Sequence, residues 1–224
     1  MYKERYARNK ILTKEKQQLL KDTKVVVFGL GGLGGFVVEG LSRMGVGELT
    51  IIDIDVFSET NLNRQRFCTE DKLGVSKVAV VKEELSRINS EVIVHTIGER
   101  LSFDEIVNLI SDEKVKVVVD CLDTKKDKLS LENACSETKK ILIHGAISGY
   151  VGEVATIYPD DHLLENVYKD KNDVDDGQGN TSFTPMLVAA IQVSETTKVL
   201  IGENVEHGEL IYVDLKNNEV IKLG

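Results

Sequence analysis

The sequence predicts an α/β fold: a doubly wound, mostly parallel sheet with additional antiparallel strands towards the C-terminus. Three observations carry this. Apolar runs of strand length alternate with amphipathic helical stretches over the first two thirds of the chain, a glycine-rich turn comes after the first run, and the alternation then stops. Strands that are apolar throughout, such as "KVVVFGL" and "KVKVVVD", are buried on both faces, which is the condition of a parallel sheet with helices on either side.

In chain order, "TKEKQQLLKD" reads as a short helix capped by Thr13, leaving residues 1–12 as an arm that could reach elsewhere. "KVVVFGL" is the first strand, residues 35–44 form a helix closed by Gly45, and "ELTIID" is the second strand. In "SKVAVVKEELSRIN" Val78, Val81, Leu85 and Ile88 step by three and four behind a Ser76 cap. "EVIVHTI" is a strand, "SFDEIVNLIS" a helix opened by a Ser102 to Glu105 capping box, and "KVKVVVD" a buried strand. A helix over 124–138 and the strand "ILIHGA" complete the alternation. Beyond it lie a strand "GEVATIYP", a polar stretch over 160–183, a helix with Thr184 as cap and Pro185 as first residue, and a hairpin "LIYVDLKNNEVIKL" turning at Asn217 and Asn218. A loop of about 24 residues is long for a compact domain and points to a functional segment.

The bulk composition sets limits. The 224 residues, 42% of them hydrophobic, suit one core, so 1–224 reads as a single domain in which 1–24 is an N-terminal arm and helix. No apolar run is long enough to span a bilayer and no signal peptide opens the chain, which implies a cytoplasmic protein. Cys68, Cys121 and Cys135 lie far apart without a CxxC pair, so neither a disulfide framework nor a cysteine zinc site is indicated. A net charge of -9 argues against a broad DNA or RNA surface. The charge is uneven, however: residues 3–24 hold eight Lys or Arg against three acids, and 160–176 hold seven acids against two lysines.

The glycine turn "GLGGLG" places Gly29, Gly31, Gly32 and Gly34 between a strand and a helix, where a backbone without side chains can approach a phosphate at the helix N-terminus. Asp53 ends the next strand, where a carboxylate accepts ribose hydroxyls. The Rossmann-like turn alone does not choose between NAD and ATP. The residues beyond Asp53 do: past a second acid, Asp55, come Asn61 and Arg64, with Lys77 in the first turn of the next helix, which put donors and cations directly behind the ribose acid. A triphosphate brings about four negative charges, and an acidic protein has to meet them locally. Asp123 and Thr124 follow the buried strand "KVKVVVD" at the carboxyl edge of the sheet, where ligands of open α/β folds bind, although either could serve only to cap the following helix.

The series "GLGGLG", "DIDVFSETNLNRQ", "LGVSKV" and "DCLDT", with "RYARN" in the arm, closely resembles in order and spacing the ThiF, MoeB and HesA family of ubiquitin-activating-type adenylating enzymes. The resemblance implies an adenylyltransferase that uses ATP and Mg2+ to activate the C-terminal glycine of a small ubiquitin-like sulfur carrier ending in Gly-Gly. By the same resemblance Gly32 lies against the nucleotide, Asp53 holds its ribose, Thr60, Asn61, Arg64 and Lys77 line the phosphates, and Asp123 binds Mg2+. Arg8 would reach into the partner's site of a homodimer, and the 160–183 loop would cross over the carrier's tail. The chain departs from the family in lacking the two CxxC pairs of its zinc-binding members and a loop cysteine, and in carrying Asp123-Thr124 for Asp-Asn and Asn9 for glutamine; no zinc is expected. Three other readings stay open. A dehydratase acting on a modified tRNA adenosine, or a peptide activator, belongs to the same superfamily; the acidic total weakens the tRNA version and the basic arm supports it. An NAD-dependent oxidoreductase leaves Arg64, Lys77 and Asp123 without a task. A non-catalytic nucleotide-holding subunit would pair with an active relative.

Overall fold

A computed structural model gives the three-dimensional structure and describes residues 4–168 and 178–223. Among these residues the strands β1 (Lys24–Phe28), β2 (Glu48–Ile52), β3 (Ile93–Ile97), β4 (Val115–Asp120), β5 (Ile141–Ser148), β6 (Val151–Ile157), β7 (Leu210–Asp214) and β8 (Glu219–Leu223) form one sheet in the order β3-β2-β1-β4-β5-β6-β7-β8. β3 through β5 of that order run parallel, and β5-β6, β6-β7 and β7-β8 are antiparallel. The predicted fold class is therefore observed, including the change of pattern after "ILIHGA".

The helices α1 (Lys14–Lys21), α2 (Gly34–Met44), α3 (Lys77–Ile88), α4 (Phe103–Ile110), α5 (Lys125–Thr138), α6 (Leu163–Tyr168) and α7 (Phe183–Leu200) cover both faces. Because successive strand residues point to opposite faces, "KVVVF" feeds two cores at once. Val25 and Val27 pack with Val37, Leu41, Val81 and Val188 beneath α2, α3 and α7. Val26 and Phe28 pack with Ile110, Leu131 and Leu164 beneath α4, α5 and α6. An unbroken apolar run is what two covered faces require.

Local signals explain most element ends. Thr13 accepts from Lys16 N, Ser102 and Glu105 exchange both bonds of a capping box, and Gly45 closes α2 with φ +87°. Elsewhere the structure corrects the reading. Ser76 sits at the N-cap of α3 without a side-chain cap bond. α7 starts at Phe183 behind Ser182, so Thr184 and Pro185 lie inside its first turn; proline is tolerated there because its missing N–H would have had no helical partner. The Thr184 hydroxyl instead donates to the Gly149 carbonyl at 2.6 Å, pinning α7 to the β5-β6 turn. The arm does not hang free over its described part. Tyr6 and Leu12 are buried, and Asn89 donates to the Tyr6 hydroxyl at 3.0 Å while accepting from Arg5. Finally, the polar stretch 160–183 contains α6, whose Leu164 and Tyr168 are buried; 169–177 of the predicted crossing loop lie outside the described residues.

Candidate active site

In the order β3-β2-β1-β4-β5 the chain reverses direction across the sheet between β1 and β4, and the crevice at their carboxyl ends is where such sheets bind ligands. A cleft of about 830 Å³ opens there, lined by Gly29, Gly31, Gly32, Asp53, Asp55, Asn61, Arg64, Lys77, Asp123 and Thr124, among others. Ten of the predicted residues are thus brought together from five separate stretches of chain.

The glycines divide by task. Gly29 has φ +88°, and a Cβ there would lie 2.5 Å from the Cys121 carbonyl oxygen, so only glycine lets the β1 turn pass the β4-α5 loop. Gly34 does not line the cleft: its Cβ would meet the Gly29 oxygen at 1.8 Å, and it serves the packing of α2 on β1. Gly31 and Gly32 face the cleft, with ordinary room for a Cβ at 3.8 and 3.5 Å from the nearest atoms. α2 then begins at Gly34 behind Leu33, which makes no side-chain cap bond, so no side chain of the N-cap takes up its first amides.

Asp53 is held by backbone. Its Oδ2 accepts from Leu30 N at 2.6 Å and its Oδ1 from Asp55 N at 2.9 Å, which aims the carboxylate while leaving each oxygen a lone pair. Lys77 is 4% exposed, and its Nζ lies 2.9 Å from Asp55 Oδ2 and 3.7 Å from Asp53 Oδ1. The sequence reading treats Lys77 as a cation available to phosphate; in the structure it is already paired. A nearly buried ammonium has to find a counter-charge, and two aspartates stand next to it. Arg64 Nη1 donates to the Thr60 carbonyl at 3.0 Å and to Asn63 Oδ1 at 2.9 Å. Thr60 contributes that carbonyl rather than cleft surface, since its hydroxyl lies 3.0 Å from Ser58 Oγ. Asn61 closes a capping box with Ser58. Arg8 is exposed on the arm and is not part of the cleft lining.

At the β4-α5 junction Asp123 is exposed and Thr124 caps α5, accepting from Asp127 N at 3.1 Å. Asp127 in turn accepts from Arg100 at 2.8 Å across the mouth of the cleft. Burial would raise the Asp127 carboxyl, but the bonds from Arg100 and Thr124 outweigh it and hold it below its ordinary value. Cys121 is packed, as a thiol at a buried strand end should be, and burial pushes its pKa far up. Arg100 and Asn180 also line the cleft without a cue in the sequence pattern; Gln65 lines it too, and its cue is its place in the "NRQ" of the loop after Asp53. Counted together, the ionised lining holds Asp53, Asp55, Glu99, Asp123 and Asp127 against Arg64, Lys77, Arg100 and Lys128.

Fold and cleft define a Rossmann-type domain whose crevice joins a glycine turn, a strand-end aspartate and the loop that carries Arg64. A family model described as the ThiF family matches residues 2–223, and the chain belongs to that family. It is 37% identical over 140 residues to a molybdopterin-synthase adenylyltransferase of Salmonella typhimurium, covering 62% of this chain and 55% of that protein. It is 30% identical over 220 residues to a SAMP-activating enzyme E1 of Haloferax volcanii, covering 94% of this chain and 81% of that one. Against the Salmonella relative, then, the chain spans little more than half the length. Among solved structures, E. coli MccB with ATP superposes with a TM-score of 0.81 at 22% identity, over 100% of this chain and 72% of that one, a likeness of fold.

Proposed function

We propose that this chain is an ATP-dependent adenylyltransferase that activates the C-terminal glycine carboxylate of a small ubiquitin-like sulfur carrier with a Gly-Gly tail. The observation that carries the reading is the convergence of Gly31, Gly32, Asp53, Asn61, Arg64, Lys77 and Asp123 on one cleft at the β1-β4 crevice. The names of the Salmonella and Haloferax relatives, an adenylyltransferase and an activating enzyme, support it.

In the reaction a carboxylate oxygen of the carrier bonds to the α-phosphorus of ATP while the bond from that phosphorus to the departing pyrophosphate breaks. Both reactants are anions, so the protein's tasks are alignment and neutralisation of charge. Asp53 keeps a lone pair on each oxygen for the ribose hydroxyls. The amides of the glycine turn and the open end of α2 face the phosphates. Arg64 occupies only Nη1 on its own loop, and a guanidinium carries five N–H donors. Lys77 would exchange Asp55, whose side chain is 61% exposed, for a phosphate oxygen.

A lining with five carboxylates against four cations cannot by itself offset a triphosphate, which fits a divalent cation entering with the nucleotide. Among the described residues no three His, Cys, Asp or Glu side chains cluster as a metal cage, and Mg2+ suits one or two carboxylates completed by phosphate oxygens. Asp123 would hold it, and the bound ion would supply further neutralisation of the phosphates. Arg8, exposed on the arm, would complete the site of the partner in a homodimer. The activity belongs in the cytoplasm; three free, buried cysteines support a reducing compartment, and among the described residues no helix is long and apolar enough to cross a membrane.

Pyrophosphate exchange tests the reading. The chain is given ATP, Mg2+, labelled pyrophosphate and, one at a time, the Gly-Gly carriers of its own genome. Label should enter ATP with one carrier and require its terminal glycine. Exchange with none of them would remove the proposal.

A further inference from the structure

Beneath the cleft runs a buried polar chain that reaches the lining only at Lys128 and whose other members the proposed mechanism does not use. Asp120, the last residue of β4, has no exposed surface; its carboxylate accepts from Lys128 Nζ at 3.1 and 3.3 Å and lies 2.7 Å from His144 Nδ1. His144 is equally buried, and its Nε2 is 3.2 Å from the Tyr168 hydroxyl. Burial would raise the Asp120 carboxyl, yet the Lys128 charge and the His144 bond outweigh it, so Asp120 is ionised. Burial and the same Lys128 charge keep His144 neutral. An ionised acceptor at Nδ1 fixes the ring proton there, which leaves Nε2 as an acceptor 3.2 Å from the Tyr168 hydroxyl; the other acceptor of that hydroxyl, Glu153 Oε2, stands farther off at 3.5 Å.

Buried polar groups are costly unless each is satisfied, so what these four are attached to matters. The third bond of Lys128 goes to the Gly145 carbonyl at 2.8 Å, and the next two residues, Ala146 and Ile147, line the cleft; Ile147 lies 3.5 Å from where a Gly32 Cβ would be. At the other end Tyr168 closes α6, whose first amides, Leu164 N and Glu165 N, donate to the Glu132 carboxylate at 2.8 and 3.1 Å. Thr124, Lys128 and Glu132 stand four residues apart, on successive turns at the head of α5. One helix thus bonds the site edge, the site floor and α6. The chain then returns to the cleft at Asn180, whose carbonyl accepts from Asn63 Nδ2 at 3.0 Å, beside Arg64.

We propose that His144 and Tyr168 are positioning residues for the half of the cleft that receives the protein substrate: the chain Tyr168–His144–Asp120–Lys128 registers residues 145–147 of the floor against α6. The ribose end of the cleft, where backbone bonds aim Asp53 on the far side of β1, does not depend on it. The proposal rests on the carrier reading for its substrate, but its geometry can be tested without one.

Tyr168→Phe removes one hydroxyl and keeps the ring, and His144→Asn keeps a donor near Nδ1 while removing the Nε2 acceptor. In pyrophosphate exchange Tyr168→Phe should lower kcat/KM for the carrier by about five- to tenfold, the worth of one net hydrogen bond. The Kd for ATP by calorimetry should stay within about twofold, because additivity holds for independent sites. In a His144→Asn background the same substitution should have a smaller effect, since only the longer Tyr168–Glu153 contact is then left to lose. Nitrogen NMR of the protein alone should show His144 as the neutral Nδ1–H tautomer, and Tyr168→Phe should move the Ala146 and Ile147 amides but not those of Leu30 and Asp55. Loss of ATP affinity equal to the loss on the carrier, or unmoved Ala146 and Ile147 amides, overturns the proposal. Exchange absent from the wild type with every carrier, with the amides moving as expected, overturns the carrier reading and leaves the relay standing.

Discussion

The two sides of the cleft are held by different means. On the β1-β2 side the functional groups sit at strand ends and are aimed by neighbouring backbone: Leu30 N and Asp55 N orient Asp53, and Asn61 is fixed within its own turn. On the β4-β5 side the groups are aimed by side chains drawn from distant stretches, as with Asp120, Lys128, His144 and Tyr168. The first arrangement is local and can be written as a short motif; the second exists only once the sheet has formed. It follows that the first side should tolerate damage to the core better than the second, and the second should respond to stability before it responds to chemistry.

The largest expected effect comes from breaking the buried side. Lys128→Met leaves the Asp120 carboxylate without its counter-charge, and losing one partner of a buried pair costs about 3–5 kcal/mol, read as a fall in the urea midpoint. The sign with pH is set by Asp120. Its folded value lies below the ordinary 3.8, so the ionised form stabilises the fold fully above that value, and the contribution is lost as pH falls through the folded value. Wild type should lose stability in acid more steeply than Lys128→Met, in circular dichroism melts down the pH scale. If the two curves ran parallel, the buried pair would not be the element that distinguishes the sides.

Next is the chemical side. Arg64→Ala and Asp123→Ala should each lower exchange by about a hundred- to a thousandfold, as removal of a charge-stabilising group does, with melting temperatures unchanged because both side chains reach solvent. A large drop in Tm for either would erase the division between the two sides. The glycine turn offers a smaller and sharper contrast. Gly34→Ala drives a methyl into the Gly29 oxygen, a contact of 1.8 Å, and should cost about 1–3 kcal/mol or more. Gly31→Ala, with 3.8 Å of room, should change stability by under about 0.5 kcal/mol while weakening ATP binding in calorimetry.

The same division governs what can be read from the sequence. The parallel strands, the Ser102 to Glu105 box, the Gly45 stop, the glycine turn and Asp53 are encoded within a few residues of where they act, and all are legible. α6 is hidden because Leu163, Leu164, Val167 and Tyr168 stand inside an acidic run, where composition masks a helix only six residues long. Thr184 looks like a cap because threonine before proline is a common helix start; its hydroxyl instead serves a turn 35 residues away. Lys77 reads as a cation for phosphate, and what the sequence cannot show is Asp55 Oδ2, 2.9 Å away, which it must leave to act there. The pairing of His144 with Asp120, 24 residues earlier, is not legible because only the sheet register sets the two side by side.

The uncapped start of α2 also bears on how long the molecule survives. Its opening amides are left for a guest to complete, so a nucleotide seated in the turn finishes a helix that the polypeptide alone does not. Such a guest raises the folded population by mass action, about 2.7 kcal/mol at a hundredfold excess over its dissociation constant. Resistance to proteolysis would then follow the energy supply of the surrounding medium, and material stored in plain buffer would age faster than material kept with its nucleotide.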